Sequence, residues 1–383
     1  MKIKAIAPYL IYLLINSIFI IKYTSRLNFF NEFLFALIYL VIIILIIYSY
    51  IKINICEYYY KYIFFIIGVT FFVFTIYLNI NINGNNLNVD RWSAMEVGIK
   101  ALLNGQYPYS AIDHLRGRTS NLPSLIFIGI PFYLMGNIGY LQSFAFLIFS
   151  LVMYIAFNNY RDRLFCMLLL TLSPSYLWEV YVKSDLMSNF IFILFFLIVV
   201  QNKIIKDKKI NPIILPFIST ALVLTRLTVI IPISLLLFKK IYKYSLTEKV
   251  KFIVISLLTS IVFLYICFNK ANSFEHLKYH NPFELQNRQL PFIISLATIL
   301  IPIFYSFYVN DIKSLITSST FFLFLPVLIA FVFNFYYNGI YSSIFKSTFD
   351  VSYFNIVSPF LLVSMTFNHN KLLVNIVQTK KLS

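Results

Sequence analysis

Two acids and one arginine stand out in a chain that is 60% hydrophobic and only 12% charged. Asp90 opens the longest polar interval of the sequence, and Asp185 ends the short polar run Val182-Lys183-Ser184-Asp185. A carboxylate within hydrogen-bond reach of a hydroxyl can take its proton, which makes both acids candidate bases. Arg226 lies in the apolar run from Pro212 to Phe238, and we read it as the one charged residue inside any apolar segment. A charge at membrane depth is costly enough to mark a functional site, and a guanidinium matches two phosphate oxygens at once. Arg91, Arg116 and Arg118 add cations near Asp90, while Trp92, Tyr107 and Tyr109 add aromatic faces. Each has a plainer role to weigh against these. Asp90 and Asp185 are both placed to cap helices starting near Trp92 and at Leu186. Arg226 can pair with a backbone carbonyl or snorkel, and aromatic residues commonly anchor a protein at the membrane interface.

Metal chemistry has little footing. His276 and His280 have the i, i+4 spacing of a zinc-binding helix, but no H-E-x-x-H pattern surrounds them and Pro282 interrupts the helix. Cys56, Cys166 and Cys267 are too scattered for a metal site or a disulfide framework, and His114 and His369 have no evident partners. No phosphate-binding glycine loop, dinucleotide fingerprint or Ser-His-Asp arrangement is present.

The elements that must position these residues are membrane helices. A mean hydropathy of +0.82 excludes an ordinary soluble domain, and apolar runs near the ~20 residues that a bilayer core requires recur along the chain. They predict spans at 5–22, 33–50, 62–80, 138–157, 164–180, 187–201, 252–268, 291–309, 315–334 and 351–367. Two segments are special: 122–136, a short re-entrant piece, and 212–238, a hairpin of two short limbs with Arg226 near its apex. The expected fold is therefore all-α, a polytopic bundle of about 12 transmembrane helices. It divides into three N-terminal spans (1–80), an extracytoplasmic loop (81–121), the remaining membrane core (122–367) and a tail (368–383). The first apolar segment has no small-residue cleavage site after it and reads as a retained span. Most Lys and Arg fall on one side when the N-terminus is cytoplasmic, which places both termini inside and the loops 81–121, 183–185, 269–290 and 335–350 outside. The net charge of +17 is thus membrane-orienting and calls for no nucleic acid.

Within the outer loop, Met95, Ile99, Leu102 and Leu103 share one helical face, and Gly105 is placed to end that helix. Pro108 then turns the chain, and Pro123 starts an apolar segment that stops at Gly136. This order, with Asp90, Trp92, Ala94, Gly105-Gln106-Tyr107-Pro108-Tyr109 and Pro123 through Pro131, resembles the first large loop of polytopic GT-C glycosyltransferases. The likeness is to the bacterial branch that includes polyprenyl-phosphate-dependent mannosyltransferases. Pro123 is followed by Ser124 where that family often has a second proline, and Val182-Lys183-Ser184-Asp185 stands where relatives often carry G-Q-x-D. Leu172-Ser173-Pro174 resembles the family's L-S-P turn, and Ala221 to Arg226 a helix after which relatives often carry a basic residue.

The resemblance covers residues 85–240 and implies sugar transfer from a polyprenyl-phosphate donor to a hydroxyl of a glycan or lipid acceptor, at the outer face of the cytoplasmic membrane. In that reading Asp90 and Asp185 are catalytic, and Arg226 and Arg91 bind the donor phosphate. Trp92, Tyr107 and Tyr109 contact the sugar or the acceptor, and the aromatic run 335–353 borders the path of the lipid. No cofactor is required, although a divalent cation between the two acids is compatible with the pattern. The alternative class is a transporter or flippase, or a polymerase, of lipid-linked glycans. Carriers usually bury several ionisable groups along their path, which favours the enzyme.

Overall fold

The computed structural model describes residues 2–27, 31–206, 210–287 and 290–368. The tail beyond 368, with His369, and the end of the basic cluster at 203–209 (residues 207–209) lie outside those residues. Among the described residues every named element is a helix, and an isolated bridge between Ile112 and Arg118 is the only extended pairing. That is the expected outcome for apolar segments in lipid, where a backbone must satisfy its own N–H and C=O groups.

The chain opens with three long helices, α1 (Lys2–Thr24), α2 (Glu32–Lys52) and α3 (Glu57–Asn81). The loop that follows carries α4 (Arg91–Leu103) and leads into α5 (Pro123–Leu134). Next come α6 (Tyr140–Ala156), α7 (Tyr160–Thr171), α8 (Pro174–Tyr181) and α9 (Leu186–Ile205). Then follow α10 (Ile214–Val223), α11 (Ile230–Tyr242) and α12 (Leu246–Phe268). The short α13 (Phe274–Tyr279) and α14 (Pro282–Gln286) precede α15 (Phe292–Tyr305) and the 33-residue α16 (Ile312–Ile344). A 3-10 segment, Val351–Ile356, then gives way to helix at 358–368.

Among the described residues six helices are long and apolar enough to cross a membrane, or seven with the bent α7–α8 pair, so by length and composition the expected count of about twelve is not reached. The shortfall has identifiable causes. The predicted span 164–180 is broken by 60° between α7 and α8. Pro174 supplies no N–H and pushes Ser173 into an extended conformation (φ −77°, ψ 113°), so the helix must end and restart. The run 212–238 is two limbs, α10 and α11, that meet near Arg226 but splay apart, α10 lying against α12 and α11 against α15 and α16. At 12 residues α5 is about 18 Å long, well short of the ~30 Å hydrocarbon core. At the other extreme α16 runs ten residues past its predicted end at 334, with a kink at Gly339 (φ +76°).

Helix burial separates a centre from a rim. The apolar window of α9 is 61% buried and that of α12 only 11%. α9 packs on α6, α11, α16 and the 351–356 turn, and so carries Asp185, the residue just before its first turn, into the middle of the protein. In the loop, α4 buries Met95 and Ile99 against α5, as its spacing predicts, but Leu103 is 49% exposed. Gly105 (φ +69°) ends α4 as expected. Its N–H bonds to the Leu102 carbonyl and that of Gln106 to the Ala101 carbonyl, closing two otherwise orphaned acceptors.

Candidate functional site

Asp185 is the residue before α9, yet its side chain makes no capping bond. The first turn of α9 is held instead by Glu179 from α8, whose Oε1 accepts from the Met187 N–H at 2.5 Å. Its Oε2 accepts from Asn355 Nδ2 at 2.7 Å, which ties the 351–356 turn to the same point. With the helix end satisfied by another acid, the Asp185 carboxylate is free to turn toward Arg226, and its Oδ2 lies 2.5 Å from the guanidinium. Both are almost fully buried, with side-chain exposures of 2% and 5%. The contact is a single one rather than a bidentate fork. Asp185 Oδ1, Arg226 Nε and Asn121 Nδ2 are buried without a partner, although Asn121 Oδ1 sits 3.4 Å from the guanidinium.

Arg226 reaches this place because the chain is extended there (φ −158°, ψ 142°) between α10 and a 3-10 turn at Leu227–Val229. A break inside an apolar run frees backbone groups that must find partners. Ser124 N–H donates to the Leu224 carbonyl (3.1 Å), and Leu227 N–H donates to Gln286 Oε1 (2.9 Å). Gln286 Nε2 donates in turn to the Ser120 carbonyl (2.6 Å), so α14 and the end of the polar loop together close the break.

Arg226 lines a cavity of about 290 Å³. Its walls are largely apolar, formed by Leu186, Ile231, Ile299, Val327, Ala330 and Phe349, with Gln286 and Tyr353 among the few polar neighbours. The cavity thus has the character of an amphiphile site: one cation and a few polar side chains in a largely apolar wall.

The second acid, Asp90, also precedes its helix without capping it. Its half-buried carboxyl lies beside that of Asp113, both packed on Gly117, where an added Cβ would come within 3.1 Å of Asp90 Oδ2 and 2.6 Å of Asp113 Oδ2. Burial pushes the Asp90 carboxyl above the usual carboxylate range, Arg91 opposes that, and Asp113 adds to it. Asp113 is placed by a tight turn in which its Oδ1 accepts from the Leu115 and Gly117 N–H groups, with Arg116 in the left-handed region (φ +64°). Its Oδ2 is buried without a partner.

Arg91 is engaged by Asp350, 2.5 Å away, and its guanidinium stacks 5.1 Å from the centre of the Tyr353 ring. Since Tyr353 lines the apolar cavity, Arg91 joins the start of α4 to the cavity's rim. Burial works against the Asp350 charge, but Arg91 and the Ser352 donors overcome it and hold the carboxyl below the usual range.

The three aromatic candidates separate. Tyr107 and Tyr109 are 3% and 1% exposed, packed on each other and on Phe268, so their faces are occupied. Trp92 stands on a different cavity, its ring over Gly84 and beside His114. His276 and His280 pack ring against ring at 4.7 Å, and among the described residues no three His, Cys, Asp or Glu side chains converge as a metal site.

Two acids escaped the sequence reading. Glu179 lies inside a predicted apolar span, 164–180, and the buried Lys22 ends another, 5–22, so Arg226 is not alone in such segments; the Ser-Pro break before Glu179 was the available signal. Asp113 was marked only by its spacing to Gly117, the signature of a side-chain-capped turn. The chain matches no protein-family model, and neither curated proteins nor solved structures give a match.

Proposed function

We propose that this protein is a membrane glycosyltransferase that moves a sugar, mannose or another hexose, from a polyprenyl-phosphate donor to a hydroxyl of an envelope glycan or lipid at the outer face of the cytoplasmic membrane. The observation that carries this reading is the largely apolar cavity lined by Arg226, whose Nε is buried and unpaired. An isoprenoid chain suits the walls, and a phosphodiester suits a guanidinium with donors to spare. Asp185 then keeps Arg226 in place and neutral in sum until the anionic donor arrives.

In the reaction Asp90 takes the proton of the acceptor hydroxyl as its oxygen attacks the anomeric carbon from the face opposite the phosphate. The bond from that carbon to the phosphate oxygen breaks, and polyprenyl phosphate leaves with the electron pair, stabilised by Arg226. The anomeric configuration inverts. A carboxyl held above its usual range by burial and by Asp113 is a stronger base than an exposed one. Glu179 does not line the cavity and is committed to α9 and Asn355, so it adds no second ionisable group to the cavity beside Arg226.

The test is purified protein in liposomes with a radiolabelled polyprenyl-phosphate hexose and a set of lipid-linked acceptors. Label moving to the acceptor, and failing to move with Arg226→Ala, supports the reading. Label that only changes leaflet, with the donor intact, would make the protein a flippase instead.

A further inference from the structure

A second cavity, of about 540 Å³, opens between the end of α3, the linker 82–85, α4 and the end of α5. It shares no lining residue with the apolar cavity and is mostly polar in character. Lys183 lines it, and comes from the same turn as Asp185: one residue faces this cavity and the other faces Arg226. Lys183 adopts a left-handed conformation (φ +54°) that sharpens the turn and sends the two side chains apart.

The groups on the walls are specific in kind. Lys183 is 7% exposed and has no carboxylate within ion-pair distance among the described residues. Its Nζ donates to the Asn79 carbonyl (3.0 Å) and to Asn137 Oδ1 (3.4 Å), which leaves the third of its three N–H donors for a ligand. Trp92 Nε1, also on the wall, is buried with no acceptor. Glu96, one turn along α4 from Trp92, supplies an acceptor and a charge opposite to that of Lys183. Tyr133 and the amide-rich segment Asn79 to Asn85 complete the lining. One cation balanced by one anion does not select for a phosphate. Unsatisfied N–H donors, a carboxylate, several amides and aromatic edges match a ligand with many hydroxyls, each both donor and acceptor.

We propose that this cavity is a saccharide-binding site that takes an uncharged, hydroxyl-rich sugar. Under the glycosyltransferase reading, on which this further role rests, it holds the glycan of the acceptor on the far side of the Lys183–Asp185 turn from the donor lipid. The binding itself requires no transfer activity.

The chain has two tryptophans, so Trp178→Phe leaves Trp92 as the sole reporter at the cavity wall. The experiment titrates that protein, in detergent, with common hexose and N-acetylhexosamine disaccharides and, separately, with inorganic phosphate, following indole emission. A saturable shift with at least one disaccharide and none with phosphate is the expected result. Glu96→Gln, on a half-buried helix face, and Lys183→Gln should each weaken that response about tenfold or more, the usual worth of a hydrogen bond to a charged group. Glu96→Gln keeps the test sound if Lys183→Gln fails to fold. A response to phosphate alone, no response to any of the sugars, or a sugar response untouched by Glu96→Gln overturns the proposal. Sugar binding without transfer in the liposome assay would leave this site standing and remove the enzyme reading.

Discussion

Asp185 Oδ2 lies 2.5 Å from the Arg226 guanidinium, joining the first turn of α9 to the break between α10 and α11 across 41 residues of chain. The pair is buried and held by one contact, so each partner carries an unmet hydrogen-bonding atom. Removing Arg226 therefore does more than empty a phosphate site: it leaves a carboxylate buried and alone, at a cost of about 3–5 kcal/mol. Arg226→Ala should lower the unfolding temperature in detergent and abolish donor binding. Adding Asp185→Asn to it should restore the melting temperature but not the donor binding. Arg226→Lys should recover part of the binding, because charge returns without the fork. Donor affinity at the wild-type level in the double variant would sink the role of Arg226.

Glu179 does the capping that Asp185 leaves undone. Glu179→Ala orphans the Met187 N–H in a fully buried setting, which costs about 1–3 kcal/mol, and leaves Asn355 Nδ2 only its longer bond to the Ser175 carbonyl (3.2 Å). Glu179→Gln keeps an acceptor for the helix and should cost less. Thermal unfolding of the two variants checks the order, and equal melting temperatures for Glu179→Ala and wild type would contradict it.

Arg91 and Asp350 form a latch rather than a core contact, with Asp350 43% exposed on its side chain, so the pair is worth about 1 kcal/mol or less. The folded-state carboxyl is held below its usual value. Its contribution is accordingly complete above the ordinary carboxyl pKa of about 4 and is lost as pH falls through the lower folded value. The melting-temperature gap between wild type and Asp350→Asn should be the same at neutral and mildly acidic pH. A gap that closes near neutrality would point to another titrating group.

How much of this was legible follows from what kind of signal each feature leaves. Hydropathy marks α1, α2, α3, α9 and α12 because a crossing helix needs a long apolar run. It misleads at 164–180, where composition stays apolar across a Ser-Pro break that backbone sterics impose. The special character of Arg226 was visible from its isolation in an apolar run, and so was the role of Gly105, which backbone geometry restricts. The Asp185–Arg226 pairing was not visible, because a contact between residues 41 apart depends on how α9 and the α10–α11 break pack. The same holds for Arg91: its neighbours in sequence suggested a phosphate ligand, and its neighbour in space is Asp350.

The orientation proposed from basic residues can be read by labelling. With Cys56, Cys166 and Cys267 replaced, a cysteine at the exposed Leu115 should react with an impermeant maleimide from outside intact cells. One at the exposed Lys251 should react only after permeabilisation. The reverse pattern would place the polar loop in the cytoplasm and exclude a reaction at the outer face.

The proposed transfer step rests most heavily on Asp90. Asp90→Asn keeps the size of the side chain and removes its basicity, and losing a general base typically slows turnover by about 10²–10⁴-fold. Donor binding should remain near wild type. The base works deprotonated, so the rate should rise with pH through the elevated pKa of Asp90, which gives the profile an acid limb above the ordinary carboxylate range. Asp113 supplies a sharper check, because its charge raises that pKa while its Oδ1 only shapes the turn. Asp113→Asn preserves the Oδ1 acceptor and removes the charge, so the acid limb should move to lower pH with the plateau rate little changed. A purely structural role for Asp113 would lower the plateau and leave the limb in place. If Asp90→Asn transfers sugar at the wild-type rate, Asp90 is not the base and the reaction proposed for this site is wrong.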